Sequence, residues 1–146
     1  MAEIQSYPFD LIKSPLFKTK HNISFSASDF EGTNKCQVVI STVCPDNFDD
    51  CLNSNGLLNT SGNNAVTVSA TGDIALEYVE QDESNSYIQI KNNVTINLND
   101  DTDVKGVFIR RKSNNFVIFV MVNENPMRFC EKIMFEKDNV ILQIIG

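Results

Sequence analysis

Between Val104 and Val122 the chain reads Val-Lys-Gly-Val-Phe-Ile-Arg-Arg-Lys, then Ser-Asn-Asn, then Phe-Val-Ile-Phe-Val-Met-Val. No other stretch restricts the fold as strongly. Two runs rich in β-branched and aromatic residues around a short polar turn predict a β-hairpin. In the second run Phe116, Ile118, Val120 and Val122 fall on one parity and Val117, Phe119 and Met121 on the other, so both of its faces must be covered. Lys105, Arg110, Arg111 and Lys112 put charge at the ends of the first run and around the turn. The expectation is a central second strand beside a first strand that reaches the surface.

The rest of the chain repeats the short-strand pattern. Ile23, Phe25 and Ala27 alternate with polar neighbours, which suits a strand with one wet face. Cys36 to Val43 carries apolar residues on both parities and reads as a central strand. Ala65 to Ala70, Ile74 to Val79, Tyr87 to Lys91 and Val94 to Leu98 follow, with turns expected at Thr71-Gly72, Glu80 to Asn85 and Asn92-Asn93. A loop around Pro126 is expected from Asn123 to Phe129. A closing hairpin follows, with Ile133 to Phe135 and Val140 to Ile145 flanking a turn at Lys137 to Asn139. No helical period persists. About nine or ten strands are too many for one open sheet of this size, so the reading is an all-β, two-layer β-sandwich, immunoglobulin-like or jelly-roll. At 146 residues, with 42% hydrophobic and 21% charged residues, one domain can bury its own core.

Two segments stand apart. Residues 1–20 crowd Tyr7, Phe9, Leu11, Ile12, Leu16 and Phe17 into a stretch that Pro8 and Pro15 keep extended. The division is thus an extended N-terminal arm, 1–20, and a single β-sandwich domain, 21–146. Missing backbone donors bar the arm from a central strand. It either packs across its own domain or adds to a neighbour's sheet edge, with those six residues as the partner-binding set. Lys13, Lys18 and Lys20 make it basic against an acidic body. The second segment, Cys44 to Asn64, is polar and turn-rich and reads as a contact loop, with Leu57 and Leu58 as anchors.

Chemistry is scarce. His21 is the only imidazole in the sequence, and no phosphate-binding glycine loop or nucleophile motif is present. The four cysteines, Cys36, Cys44, Cys51 and Cys130, match no zinc spacing. Cys36 and Cys130 sit where strands are expected and read as small buried hydrophobes. Cys44 and Cys51 flank a loop and either stay reduced or pair. An EF-hand register with its turn at Gly56 would put Cys51 first and Gly62 twelfth, so it lacks both the leading acid and the closing Glu. The acids at Asp100, Asp101 and Asp103 read as a solvated turn. A net charge of −7 and a pI near 4.6 disfavour a nucleic-acid partner, and Arg110, Arg111 and Lys112 read as a solvated hairpin end. No apolar run reaches the roughly 20 residues of a membrane span. The expectation is a non-enzyme without cofactor or small-molecule substrate.

The arm, the Val-Lys-Gly-Val-Phe-Ile run at Val104 to Ile109 and the closing Asp-Asn-Val-Ile-Leu-Gln-Ile-Ile together resemble small β-rich virion proteins of tailed, crAss-like bacteriophages, of the auxiliary capsid or decoration type. The resemblance implies a sandwich without catalysis, many copies fixed to other virion proteins, and residence in the virion after synthesis in the host cytoplasm. Four cysteines and so long a polar loop are not features of that group. Two other readings stand beside it. One is a fibre- or adhesin-like module recognising a glycan or host surface through Tyr78 or Tyr87. The other is a small hydrolase using carboxylates.

Overall fold

A computed structural model describes residues 5–6, 35–80, 85–138 and 140–145. Ten strands appear among them: β1 (Gln5–Ser6), β2 (Cys36–Val43), β3 (Thr67–Ile74), β4 (Leu76–Glu80), β5 (Asn85–Ile90), β6 (Val94–Asn97), β7 (Thr102–Arg111), β8 (Val117–Phe129), β9 (Lys132–Phe135) and β10 (Val140–Ile145). The protein is all-β, with one short 3-10 turn at Phe48–Cys51 and no α-helix among the described residues. The expected strand at Ile23 to Ala27 lies outside the described residues.

The strands form a four-stranded sheet, β3-β2-β7-β8, and two three-stranded sheets, β1-β9-β6 and β10-β5-β4. All pairings are antiparallel except that of β1 with β9, where Gln5 meets Ile133 and Ser6 meets Met134 in parallel. The opening hairpin is present as β7 and β8. Its lateral order is the reverse of the expectation, because β7 lies between β2 and β8 while β8 ends the sheet. Two-sided apolarity in β8 reports what covers its faces, not how many strands flank it.

One core cluster holds side chains from all three sheets, among them Val38, Ile40, Leu76, Ile88, Ile96, Val107, Ile109, Phe119, Ile133 and Phe135. A second cluster covers the opposite face of the four-stranded sheet, where Val39, Phe108, Val117 and Val120 meet Cys51, Leu52, Leu58 and Val66. The parity expected for β8 fails at one place. Ile109 pairs with Phe119 but Arg110 pairs with Val117, and this bulge moves Val117 into the second cluster with Val120.

Local signals read as breaks prove to be strand. Thr71 and Gly72 lie inside β3, paired with Val39 and Val38. Gly72 is required there by packing: a Cβ on it would stand 2.9 Å from Cγ1 of Ile96 across the layer. Gly72→Ala should therefore cost about 1–3 kcal/mol by overpacking. Combining it with Ile96→Ala should cost less than the sum of the two single changes, measured by chemical denaturation. The segment around Pro126 is also strand, since Val104 pairs with Met127 and Gly106 with Val122. Four residues of β8, 123–126, there stand against Lys105 alone, an irregularity on a strand at the sheet's end, a position that accepts proline. There the Asn123 amide donates to the Val104 carbonyl at 3.2 Å.

The short links at Asn92-Asn93 and Lys137 to Asn139 do not close hairpins. β5 pairs with β10, and β6 with β9. The register runs on across the corner, from Val94 opposite Phe135 to Gln89 opposite Val140. The Lys137 N–H donates to Oδ1 of Asn93 at 2.7 Å and the Asp138 N–H to the Ile90 carbonyl at 2.8 Å. At the other corner the Leu98 N–H reaches the Glu131 carbonyl at 2.7 Å, while Asn99 and Glu131 take positive φ. β5-β6-β7 and β10-β9-β8 are thus the two legs of one long antiparallel ribbon, folded at two corners and closed at residues 112–116. The strand β3 leaves its sheet in the same manner: beyond Ala75 the chain continues as β4 in another sheet.

Candidate functional site

The loop from Cys44 to Val66 is the largest irregular segment among the described residues, and it lies on the protein's own sheet. Leu52 and Leu58 form an isolated antiparallel bridge and point their apolar side chains into the second cluster. Leu58 is thus an anchor, as expected, while Leu57 is only half-buried. Asn53 organises the turn between them, its side-chain oxygen accepting from the N–H groups of Asn55 at 2.8 Å and Leu57 at 3.1 Å. Gly56 sits at φ +78°, and its carbonyl accepts the Val117 N–H at 3.0 Å. The loop's apolar residues bind inward, covering a face of β2-β7-β8 that would otherwise be wet, while Ser54, Asn55 and residues 60–64 stay exposed.

Two thiols meet at the root of this loop. Cys44 follows β2 and is half-buried, whereas Cys51 ends the 3-10 turn with no exposed surface. Both are free thiols, as are Cys36 and Cys130. The Cys44 and Cys51 side chains share a hydrogen bond. Sγ of Cys51 also lies 3.6 Å from the Pro45 carbonyl and 3.7 Å from that of Asn47. Sγ of Cys44 occupies the space over Gly106, where a Cβ would approach it to 2.9 Å. Beside it, Nζ of Lys105 bonds Oδ1 of Asp46 at 2.6 Å.

This arrangement separates the two thiols electrostatically. The hydrogen bond from Cys51 holds the Cys44 thiol below its ordinary value, with burial opposing and the Lys105 charge assisting. Cys51 moves the other way, first through that same hydrogen bond and then through burial. Cys36, buried in the main core, is pushed up to about 11 by desolvation, against the pull of Arg111 and Lys35.

The other expected residues are placed as follows. Tyr7, Phe9, Leu11, Ile12, Leu16, Phe17 and His21 lie outside the described residues. The basic turn is not merely solvated. Arg110 donates through Nε and Nη2 to Oε1 of Gln37 at 2.9 and 2.7 Å, Lys112 pairs with Asp73 at 3.0 Å, and the Arg111 guanidinium lies 5.3 Å from the Phe116 ring centre. These contacts tie the hairpin end to β2 and β3. Arg128 takes up the acids near the Leu98–Glu131 corner, 3.2 Å from Asp103 and 3.7 Å from Asp101. Among the described residues no three His, Cys, Asp or Glu side chains gather as a metal site, and no helix is long and apolar enough to cross a membrane. Tyr78 and Tyr87 lie on adjacent strands but are not cross-strand partners, being registered with Ile88 and Val79.

Two features escaped the sequence reading. Lys105 and Gly106 form one wall of the thiol pair, and a glycine inside an apolar run was the available signal of close approach. Val43 and Val68 are large hydrophobes left exposed, at 60% and 43%, on the β2-β3 end of the four-stranded sheet. Comparison with protein-family models, with curated proteins and with solved structures gives no match for this chain.

Proposed function

We propose that this protein is a non-catalytic structural component of a bacteriophage virion, an auxiliary capsid or decoration protein held to other virion proteins in many copies. Its fold in this reading is a two-layer sandwich of the jelly-roll kind, which the long ribbon folded at two corners supports, because wrapping such a ribbon over itself generates two facing layers. The observation that carries the assembly role is the exposed pair Val43 and Val68 at the end of the β2-β3 sheet. Val43 is registered with Thr67, the chain neighbour of Val68, and exposed valines so placed at a sheet end favour contact with another protein surface over contact with water. The apolar, basic N-terminal segment supplies the second contact, through Tyr7, Phe9, Leu11, Ile12, Leu16 and Phe17. Surface loops complete the attachment.

Removal of residues 1–20, which takes away β1 and its edge pairing with β9 along with the apolar segment, tests the proposal. The truncated chain should melt as a folded β protein and lose about tenfold or more of its affinity for the particle, a change of roughly 1.4 kcal/mol or greater. Co-sedimentation with virions and circular dichroism give the two readouts. A folded truncation that binds at full strength would remove the N-terminal segment from the interface.

A further inference from the structure

We propose that Cys44 and Cys51 form a reversible dithiol–disulfide pair, oxidised by low-molecular-weight disulfides, that fastens the start of the 44–66 loop to the end of β2. The inference concerns the β body and stands apart from the virion reading.

Three observations carry it. The two side chains meet: Cys44 packs against the cluster that holds Cys51, and each thiol is the first influence on the other's titration, which is the proximity a disulfide starts from. Both backbones are held in place: Cys44 directly follows β2, and the Cys51 carbonyl accepts the Asn59 N–H at 2.8 Å while the Asp50 N–H closes a turn on the Asn47 carbonyl at 3.0 Å. The environments are unequal in the manner exchange chemistry uses. Cys44 is reachable from solvent and sits beside the Lys105 ammonium, whereas Cys51 is enclosed and holds its proton against sulfur and carbonyl acceptors.

The sequence of bonds follows from that asymmetry. The Cys44 thiolate attacks one sulfur of a small disulfide; the reagent's S–S bond breaks, a mixed disulfide forms on Cys44 and one small thiolate departs with a proton. Cys51 then gives up its proton and attacks Sγ of Cys44, displacing the second small thiol. Two protein thiols are oxidised to one disulfide, and one small disulfide is reduced to two thiols. Cys36, fully enclosed in the main core, takes no part.

Glutathione disulfide is the probe, followed by alkylation under denaturing conditions and peptide mapping. Treated native protein should lose two of its four thiols, carry no glutathione, and yield one linked pair, Cys44 with Cys51. Cys51→Ser should instead accumulate glutathione on Cys44, and Cys44→Ser should lose most of the reactivity. Retention of all four thiols, a persistent mixed disulfide in the unaltered protein, or linkage through Cys36 or Cys130 would overturn the proposal. The mapping of the unaltered protein decides the matter even where a variant fails to fold.

Discussion

Phe108→Ala is expected to cost about 3–5 kcal/mol, as much as truncating a phenylalanine between the main sheets. Phe108 is fully buried, yet it faces away from the main core and into the cluster roofed by Cys51, Leu52, Leu58 and Val66. Its loss opens a cavity directly beneath the loop. The variant should therefore show a second effect that Phe119→Ala, in the main core, lacks: early proteolytic cleavage between residues 44 and 66 under conditions where the sheets remain folded. Denaturant midpoints measure the first effect and timed proteolysis the second. A loss well under 1 kcal/mol in Phe108→Ala, with an uncut loop, would mean that the loop covers the sheet without contributing to its stability.

Alkali should destabilise the fold through Cys36. Burial raises this thiol from an ordinary 9.0 to about 11, so the folded protein keeps a proton that the unfolded chain releases. The contribution is fully present below pH 9 and is lost as pH rises toward 11. At about 1.4 kcal/mol per unit, the two-unit shift corresponds to roughly 3 kcal/mol. Urea denaturation across that window should show a steeper fall for the natural sequence than for Cys36→Val, which keeps an apolar side chain and removes the titration. Parallel pH profiles for the two proteins would show that Cys36 ionises as readily in the fold as outside it.

Strand content was legible wherever a period of two or a two-sided apolar run was long. Cys36 to Val43 and Val104 to Val122 both emerged as strands for the reasons their residues gave. What the residues could not reveal was which strand lies beside which. Asn92-Asn93 and Lys137 to Asn139 carry ordinary turn residues, and nothing local distinguishes a turn that reverses the chain from a corner that bends it. Gly72 was read as punctuation because its cause, Ile96, lies 24 positions away in sequence and 2.9 Å from the missing Cβ in space. The bulge that reverses Val117 is invisible for a similar reason, since parity is counted along one strand while a bulge is defined between two. Of the thiol site, only the fact that Cys44 and Cys51 flank one loop was visible. The Lys105-Gly106 wall needed β7 beside β2.

The folded ribbon bears on how the chain reaches this state. Closing the tip at residues 112–116 joins positions only a few residues apart, and each further rung toward Asn85 and Ile145 is brought near by the rung before it. The entropy of loop closure is thereby met in small instalments although the final pairs are some 60 residues apart. Pairings that look remote on a contact map become neighbours in the order of zippering. A one-residue error near the tip would travel down both legs and turn apolar side chains outward in all three sheets, so fidelity at Ser113 to Asn115 governs far more of the molecule than its exposed position suggests.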